Sequence, residues 1–232
     1  MSFSKLQQNW EELGKQDPLW AILTESDRRG GKWSVEEFFR WGAEEVQQLL
    51  SRLEAVGLEA PRGRALDFGC GAGRLTQALG RHFRECVGID IAPSMIELAK
   101  KFNKHGARCR YYVNELSTLF LFPDNSFDFI YSNIVLQHIH PKYSSQYLQD
   151  FVRVLSPGGV LVFQLPATPR VRERSPEDGA PLADEAFQSK VQASAASLKV
   201  RPGSSLHLPV TVQNQSSRWW LQAESRQYSI SV

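Results

Sequence analysis

The stretch that most constrains this chain is Ala65-Leu66-Asp67-Phe68, followed at once by Gly69-Cys70-Gly71-Ala72-Gly73. A short apolar run carrying one acid is too brief for a helix and fits a buried strand. Three glycines at alternate positions then mark a turn where backbone must pass close to something. From Arg74 an amphipathic helical pattern begins, with Leu75, Ala78, Leu79 and Phe83 on one face. Strand, glycine turn and helix N-terminus, in that order, are how α/β proteins build a cofactor site at the carboxyl end of a parallel sheet.

The residues that follow repeat the theme. Strand patterns fall at 86–90, 109–113, 127–132 and 160–165, separated by helical patterns at 93–102 and 141–155, with turns at Pro123-Asp124-Asn125-Ser126 and Ser156-Pro157-Gly158-Gly159. Strands apolar on both faces and alternating with helices predict an α/β fold, a doubly wound, mostly parallel sheet with right-handed crossovers. Residues 61–166 are the expected domain.

Residues 1–60 read as a helical, aromatic cap. Ser34-Val35-Glu36-Glu37 has the spacing of a capping box, with Glu37 reaching back to the start of a helix. Phe39, Gly42, Val46, Leu49 or Leu50, and Leu53 then mark one buried face, and Gly57 a stop. Four of the six tryptophans, Trp10, Trp20, Trp33 and Trp41, lie here. They either pack the cap onto the main domain or form an aromatic lid over a pocket. From Pro166 to Pro181 four prolines in sixteen residues predict an extended linker, 167–189. Residues 190–232 are β-like, with strands expected at 198–200, 206–212 and 228–232. They resemble either the opening strands of a truncated immunoglobulin-like sandwich or the hairpin that completes the main sheet.

Composition narrows the function classes. A net charge of +2 gives no clustered basic surface for nucleic acid. No apolar run approaches the roughly 20 residues that span a bilayer. The first residues lack a signal pattern, and Cys70, Cys86 and Cys109 suit reduced core thiols, so a cytoplasmic protein is expected. No cysteine or histidine spacing predicts a metal. His138-Ile139-His140 is too weak a pattern for one.

The chemistry lies in the acids around the glycines. A dinucleotide fingerprint needs a glycine at position 74, where Arg74 stands. Asp67 precedes the glycines and Asp90 ends the next strand. Adjacent strand tips lie about 4.8 Å apart, so both acids and the turn should converge on one crevice. An acid at the second tip suits a ribose diol, and acids on both sides of the turn favour a ligand with ammonium and hydroxyl groups over a bare phosphate.

Four segments in order, Leu66–Gly73, Val87-Gly88-Ile89-Asp90, Phe127–Asn133 and Leu155-Ser156-Pro157-Gly158-Gly159, resemble the class I S-adenosylmethionine-dependent methyltransferases, a Rossmann-like family. The resemblance implies S-adenosyl-L-methionine as cofactor. It places Gly69, Gly71 and Gly73 under the methionine part, with Asp67 at the ammonium and Arg74 within reach of the carboxylate. It puts Asp90 on the ribose and Ile91 and Met95 against the adenine. Glu115 and Leu116 match the adenine-edge position, with Asn114 as the alternative alignment. Asn133 and Leu136 match the methionine end and the substrate mouth. His138 is the one side chain in that predicted pocket that could act as a base. The segment Ser132-Asn133-Ile134-Val135 lacks the Asn/Asp-Pro-Pro-aromatic signature of enzymes methylating exocyclic amines, so a small-molecule, sugar or lipid-linked acceptor is expected. A cofactor-binding scaffold without turnover is the alternative.

Overall fold

A computed structural model describes residues 2–165 and three short strands, Ser189–Ala193, Val210–Asn214 and Arg226–Tyr228. The chain opens with α1 (Phe3–Gln16), α2 (Pro18–Ile22) and the long α3 (Val35–Ala55). Then come β1 (Arg64–Phe68), α4 (Arg74–Leu79), β2 (Glu85–Asp90), α5 (Pro93–Phe102), β3 (Cys109–Val113), β4 (Phe127–Ser132), α6 (Pro141–Val154) and β5 (Leu155–Phe163). The five strands form one sheet in the order β3-β2-β1-β4-β5, every pair parallel.

Alternation along the strands sends side chains into two layers. Ala65, Cys86, Phe129 and Tyr131 face α3, α4 and α5, packing with Val46, Leu50, Leu79, Phe83 and Ile96. Leu66, Phe68, Val87, Ile89 and Ile130 face α1 and α6, packing with Leu6, Tyr147, Phe151 and Val154. Phe127, Phe129 and Phe151 have no exposed surface, and each such burial contributes roughly 2–3 kcal/mol.

Local departures from the sequence pattern have local causes. α4 ends at Leu79 rather than running to Phe83, because Gly80 follows and the chain turns there to stack Phe83 on Phe129 at 5.0 Å. The expected turn at Ser156–Gly159 is a bulge inside β5, where the register to β4 slips between Phe127 and Phe129. Ser34 does cap α3, accepting from Glu37 N at 3.3 Å. The Glu37 carboxylate does not complete the box, since Arg28 holds it at 2.8 Å and 3.0 Å. α3 closes at Gly57 with Leu58 N donating to Leu53 O and Gly57 N to Glu54 O, a Schellman pair.

The strands Ser189–Ala193 (β6), Val210–Asn214 (β7) and Arg226–Tyr228 (β8) form a separate antiparallel sheet, β6-β7-β8. The strand expected at 198–200 and most of the linker 167–189 lie outside the described residues. No described helix is long and apolar enough to cross a membrane.

Candidate active site

Chain order along the sheet runs outward from β1 through β2 to β3, then returns to the other side of β1 for β4. Loops leaving β1 and β4 therefore part, and a crevice opens at the carboxyl end of the sheet where they separate. A cleft of about 960 Å³, open mouth included, lies there.

Its floor is the glycine turn. Gly69, Gly71 and Gly73 all take positive φ, 74°, 51° and 83°, a run that side chains would strain. Gly73 is the left-handed N-cap of α4, and a Cβ on it would meet the Tyr111 hydroxyl at 2.8 Å. Gly69, Cys70 and Gly71 face the cleft.

The two acids behave differently. Asp90 lies in the cleft wall, one oxygen accepting from Gly71 N and the other from Ala92 N, both at 2.9 Å. Burial raises its carboxyl above the ordinary value, with the two N–H bonds acting in the opposite sense. A carboxylate has about four acceptor directions, so these bonds leave capacity for a ligand diol. Asp67 is 1% exposed and sits behind the turn, accepting from Thr76 Oγ1 at 2.6 Å. Burial, partly offset by Thr76 and Arg74, lifts its pKa to about 7.

The opposite wall comes from the end of β4. Asn133, Ile134 and Val135 line it, and Ile134 has φ +60°, a costly conformation for a β-branched side chain. Ile134 N is held there by Gln164 Oε1 at 2.9 Å. Behind this wall stands Glu45 of α3. Its carboxylate accepts from Arg74 Nη1 at 2.8 Å, Tyr131 OH at 2.8 Å and Asn133 Nδ2 at 2.7 Å. α3 approaches α4 closely enough for this because residue 42 is glycine. A Cβ there would lie 2.9 Å from the Arg74 carbonyl oxygen.

α1 and α2 close the remaining side. Phe3, Leu6 and Trp10 of α1 and Ile22 of α2 line the cleft. α1 is fastened across it by Gln7, whose amide donates to Ile91 O and Glu115 Oε1, and by Glu11, which accepts from Ser94 N at 2.9 Å. Trp10 meets His138 edge to face at 5.4 Å, and Gln137 Nε2 lies 3.1 Å from His138 Nε2. Trp20, Trp33 and Trp41 instead pack with Leu19, Phe38 and Phe102, away from the cleft. Of the four tryptophans, Trp10 lines the cleft and the other three pack the helices together.

Of the residues singled out from the sequence, Gly69, Gly71, Arg74, Asp90, Ile91, Met95, Asn133 and His138 are brought together around the cleft. Asp67, Gly73, Glu115, Leu116 and Leu136 are not among its lining residues. Asp67 points under the turn to Thr76, and Gly73 packs toward Tyr111. Glu115 and Leu116 run outward past β3, Leu116 being 56% exposed, and Asn114 takes the lining position instead. Leu136 turns into the core beside Phe68 and Tyr147. Sequence reasoning missed Glu45, Ile134, Val135 and Tyr147. Glu45 carries one signal: it is an acid three residues after Gly42 and four before Leu49, on the buried stripe of α3.

Known proteins resemble this domain in sequence and in fold. A family described as a methyltransferase domain matches residues 66–163. Malonyl-[acyl-carrier protein] O-methyltransferase of Halorhodospira halophila is 34% identical over 122 residues, 52% of this chain and 40% of that protein. Trans-aconitate 2-methyltransferase of Methylobacterium nodulans is 30% identical over 136 residues, 58% of this chain and 50% of that one. The chain thus spans half or less of the length of these curated relatives. Among solved structures, a phosphoethanolamine N-methyltransferase of Haemonchus contortus, in complex with phosphoethanolamine and S-adenosylhomocysteine, shares the fold. Its TM-score is 0.57 at 15% identity, over 77% of this chain and 36% of that one. With these matches and the five-stranded parallel sheet that carries the glycine turn, residues 66–163 belong to the class I S-adenosylmethionine-dependent methyltransferases.

Proposed function

We propose that this chain transfers a methyl group from S-adenosyl-L-methionine to an oxygen or nitrogen of a small-molecule, sugar or lipid-linked acceptor. The observation that carries the reading is the cleft at the β1/β4 divide, with Asp90 and the glycine turn on one side and Asn133 on the other.

The residues present fit that cofactor. Arg74 is 3% exposed and lines the cleft, yet its Nε has no partner among the described residues. An orphaned buried donor at that place suits a ligand carboxylate. Asp90 retains acceptor capacity for two hydroxyls, and Ile91 and Met95 offer an apolar wall for a flat base. When bound, the cofactor supplies a methyl already activated on a sulfonium, so no metal or covalent intermediate is required of the protein. The protein's part is alignment and exclusion of water. α1, Ile134 and Val135 wall the cleft with apolar surface. Gln137 Nε2 lies 3.1 Å from His138 Nε2, and His138, the titratable side chain on the Trp10 side of the cleft, is the group proposed to take up an acceptor proton.

The cleft lining is largely apolar. Among described lining residues Arg74 is the cation, and Glu45 already pairs with it. An acceptor presenting an apolar body and one polar nucleophile matches this lining better than a polyanion. One of the curated relatives named above is an O-methyltransferase by its name, and that favours oxygen as the acceptor atom.

The test pairs binding with turnover. Calorimetry should show the wild type binding S-adenosylmethionine and S-adenosylhomocysteine, and Asp90→Ala weakening both by on the order of 10- to 100-fold, since hydrogen bonds to a charged group are each worth about 1.5–3 kcal/mol. Unaltered affinity in Asp90→Ala would show the site to be elsewhere. Release of S-adenosylhomocysteine across an acceptor panel separates an enzyme from a scaffold that only binds.

A further inference from the structure

We propose that Glu45, on the N-terminal helix α3, is a positioning residue that shapes the cleft to recognise a zwitterionic amino acid, the methionine end of the cofactor. This rests on the methyltransferase reading above and names what holds one end of its cofactor.

A carboxylate only accepts hydrogen bonds, so each neighbour must present a donor to it. Glu45 draws three such donors from three elements: Arg74 from the start of α4, Tyr131 from β4, and Asn133 from the loop beyond it. For Asn133 this settles the amide. Nδ2 faces Glu45 at 2.7 Å, and Oδ1, an acceptor, is the atom left to offer elsewhere. For Arg74 the bond engages Nη1, at 2.8 Å, while the buried Nε keeps a donor with no described partner. The Phe38 ring, 5.9 Å from the guanidinium carbon, limits how the group can turn.

Both residues line the cleft. One carboxylate outside the lining therefore sorts two side chains within it, leaving one a donor and the other an acceptor. An α-amino acid zwitterion needs that pair, a donor for its carboxylate and an acceptor for its ammonium. Asp67, the acid expected at the ammonium, is turned away to Thr76 and leaves this role open. Glu45 also brings a negative charge behind Asn133 without lining the cleft itself.

The test uses two ligands that share adenosine and the sulfur but differ in the amino-acid part: S-adenosylhomocysteine and 5′-methylthioadenosine. Glu45→Gln replaces an obligate acceptor with a group that also presents N–H to Arg74 and Asn133. The variant should bind S-adenosylhomocysteine about 10- to 100-fold more weakly, the scale expected for charge-assisted hydrogen bonds. Its affinity for 5′-methylthioadenosine should stay within about twofold of wild type. A general loosening of the fold would weaken both ligands together. Glu45→Asp, which keeps the charge, should recover part of the loss, and it takes over the comparison if Glu45→Gln does not fold. A double-mutant cycle with Asn133→Ala should be non-additive, because Glu45 acts partly through that amide. The inference is overturned if wild type binds both ligands and the Glu45 variants weaken neither, or weaken both in parallel. A wild type that binds neither refutes the methyltransferase reading itself.

Discussion

Asp67→Asn should flatten a pH dependence that the wild-type protein carries in its core. The carboxyl is 1% exposed, and among the described residues Thr76 bonds it from its side chain, at 2.6 Å. Burial displaces its pKa from 3.8 to about 7, against the smaller opposing pulls of Thr76 and Arg74. The sign follows from which state holds the proton. Between these values the folded chain keeps a proton that the unfolded chain has released. The stabilisation is therefore fully present below 3.8 and is lost as pH rises through about 7. At about 1.4 kcal/mol per tenfold change in proton affinity, the whole displacement amounts to at most about 4 kcal/mol. Asparagine keeps the shape and an acceptor for Thr76 and does not titrate. Urea unfolding of both proteins from about pH 5 to about pH 8 should show the asparagine variant gaining on wild type by about 2–3 kcal/mol, with other titrating groups cancelling in the comparison. Parallel stability curves would refute the reasoning and put Asp67 in an environment that solvates its charge.

Two further substitutions probe the scaffold of the cleft. Gly42→Ala gains about 1 kcal/mol of helix propensity but drives a Cβ against the Arg74 backbone, an overpacking cost of about 1–3 kcal/mol. The net expectation is a thermal destabilisation together with weaker S-adenosylhomocysteine binding, and a variant more stable than wild type would show that α3 does not press on α4. Arg153 donates to Leu119 O, Phe122 O, Asp124 and Asp150, fastening the loop between β3 and β4 to α6. Arg153→Ala leaves the nearly buried Asp150 without its cation and, after allowance for partial exposure, should cost about 2 kcal/mol in denaturant unfolding. A loss below about 0.5 kcal/mol would mark these bonds as incidental.

The parallel sheet was legible in the sequence because its strands are buried on both faces and read as continuous apolar runs. The turn and Asp90 were legible because backbone approach and strand-end acids leave local marks. What stayed hidden depends on tertiary approach. Asp67 and Asp90 look alike in sequence, each near the end of a strand. Asp90 is the last residue of its strand and lies in the cleft wall, whereas Asp67 precedes Phe68, which lines the cleft, and is directed beneath the turn to Thr76. Asn114 lines the cleft where Glu115 and Leu116 do not, because the cleft edge falls at the first residue beyond β3. Glu45 lies 29 residues before Arg74 in sequence, and only the α3–α4 crossing at Gly42 brings them together. Glu37 matched a local pattern, yet Arg28 won its carboxylate, since an ion pair of that geometry outweighs a single bond to a helix-end N–H.

The cleft and the core are made of the same side chains. Leu6, Phe68, Ile89, Ile139 and Tyr147 line the crevice and also belong to the apolar layer between α1, α6 and the sheet. Filling the crevice therefore completes the packing of the protein, and a ligand present at 100 times its dissociation constant adds about 2.7 kcal/mol to the folding free energy. The same overlap constrains how ligand preference can drift. A residue here that is trimmed to admit a bulkier ligand opens a hole in the layer that holds the sheet to its helices. Changes of specificity at these positions must therefore be accompanied by compensating substitutions elsewhere in that layer.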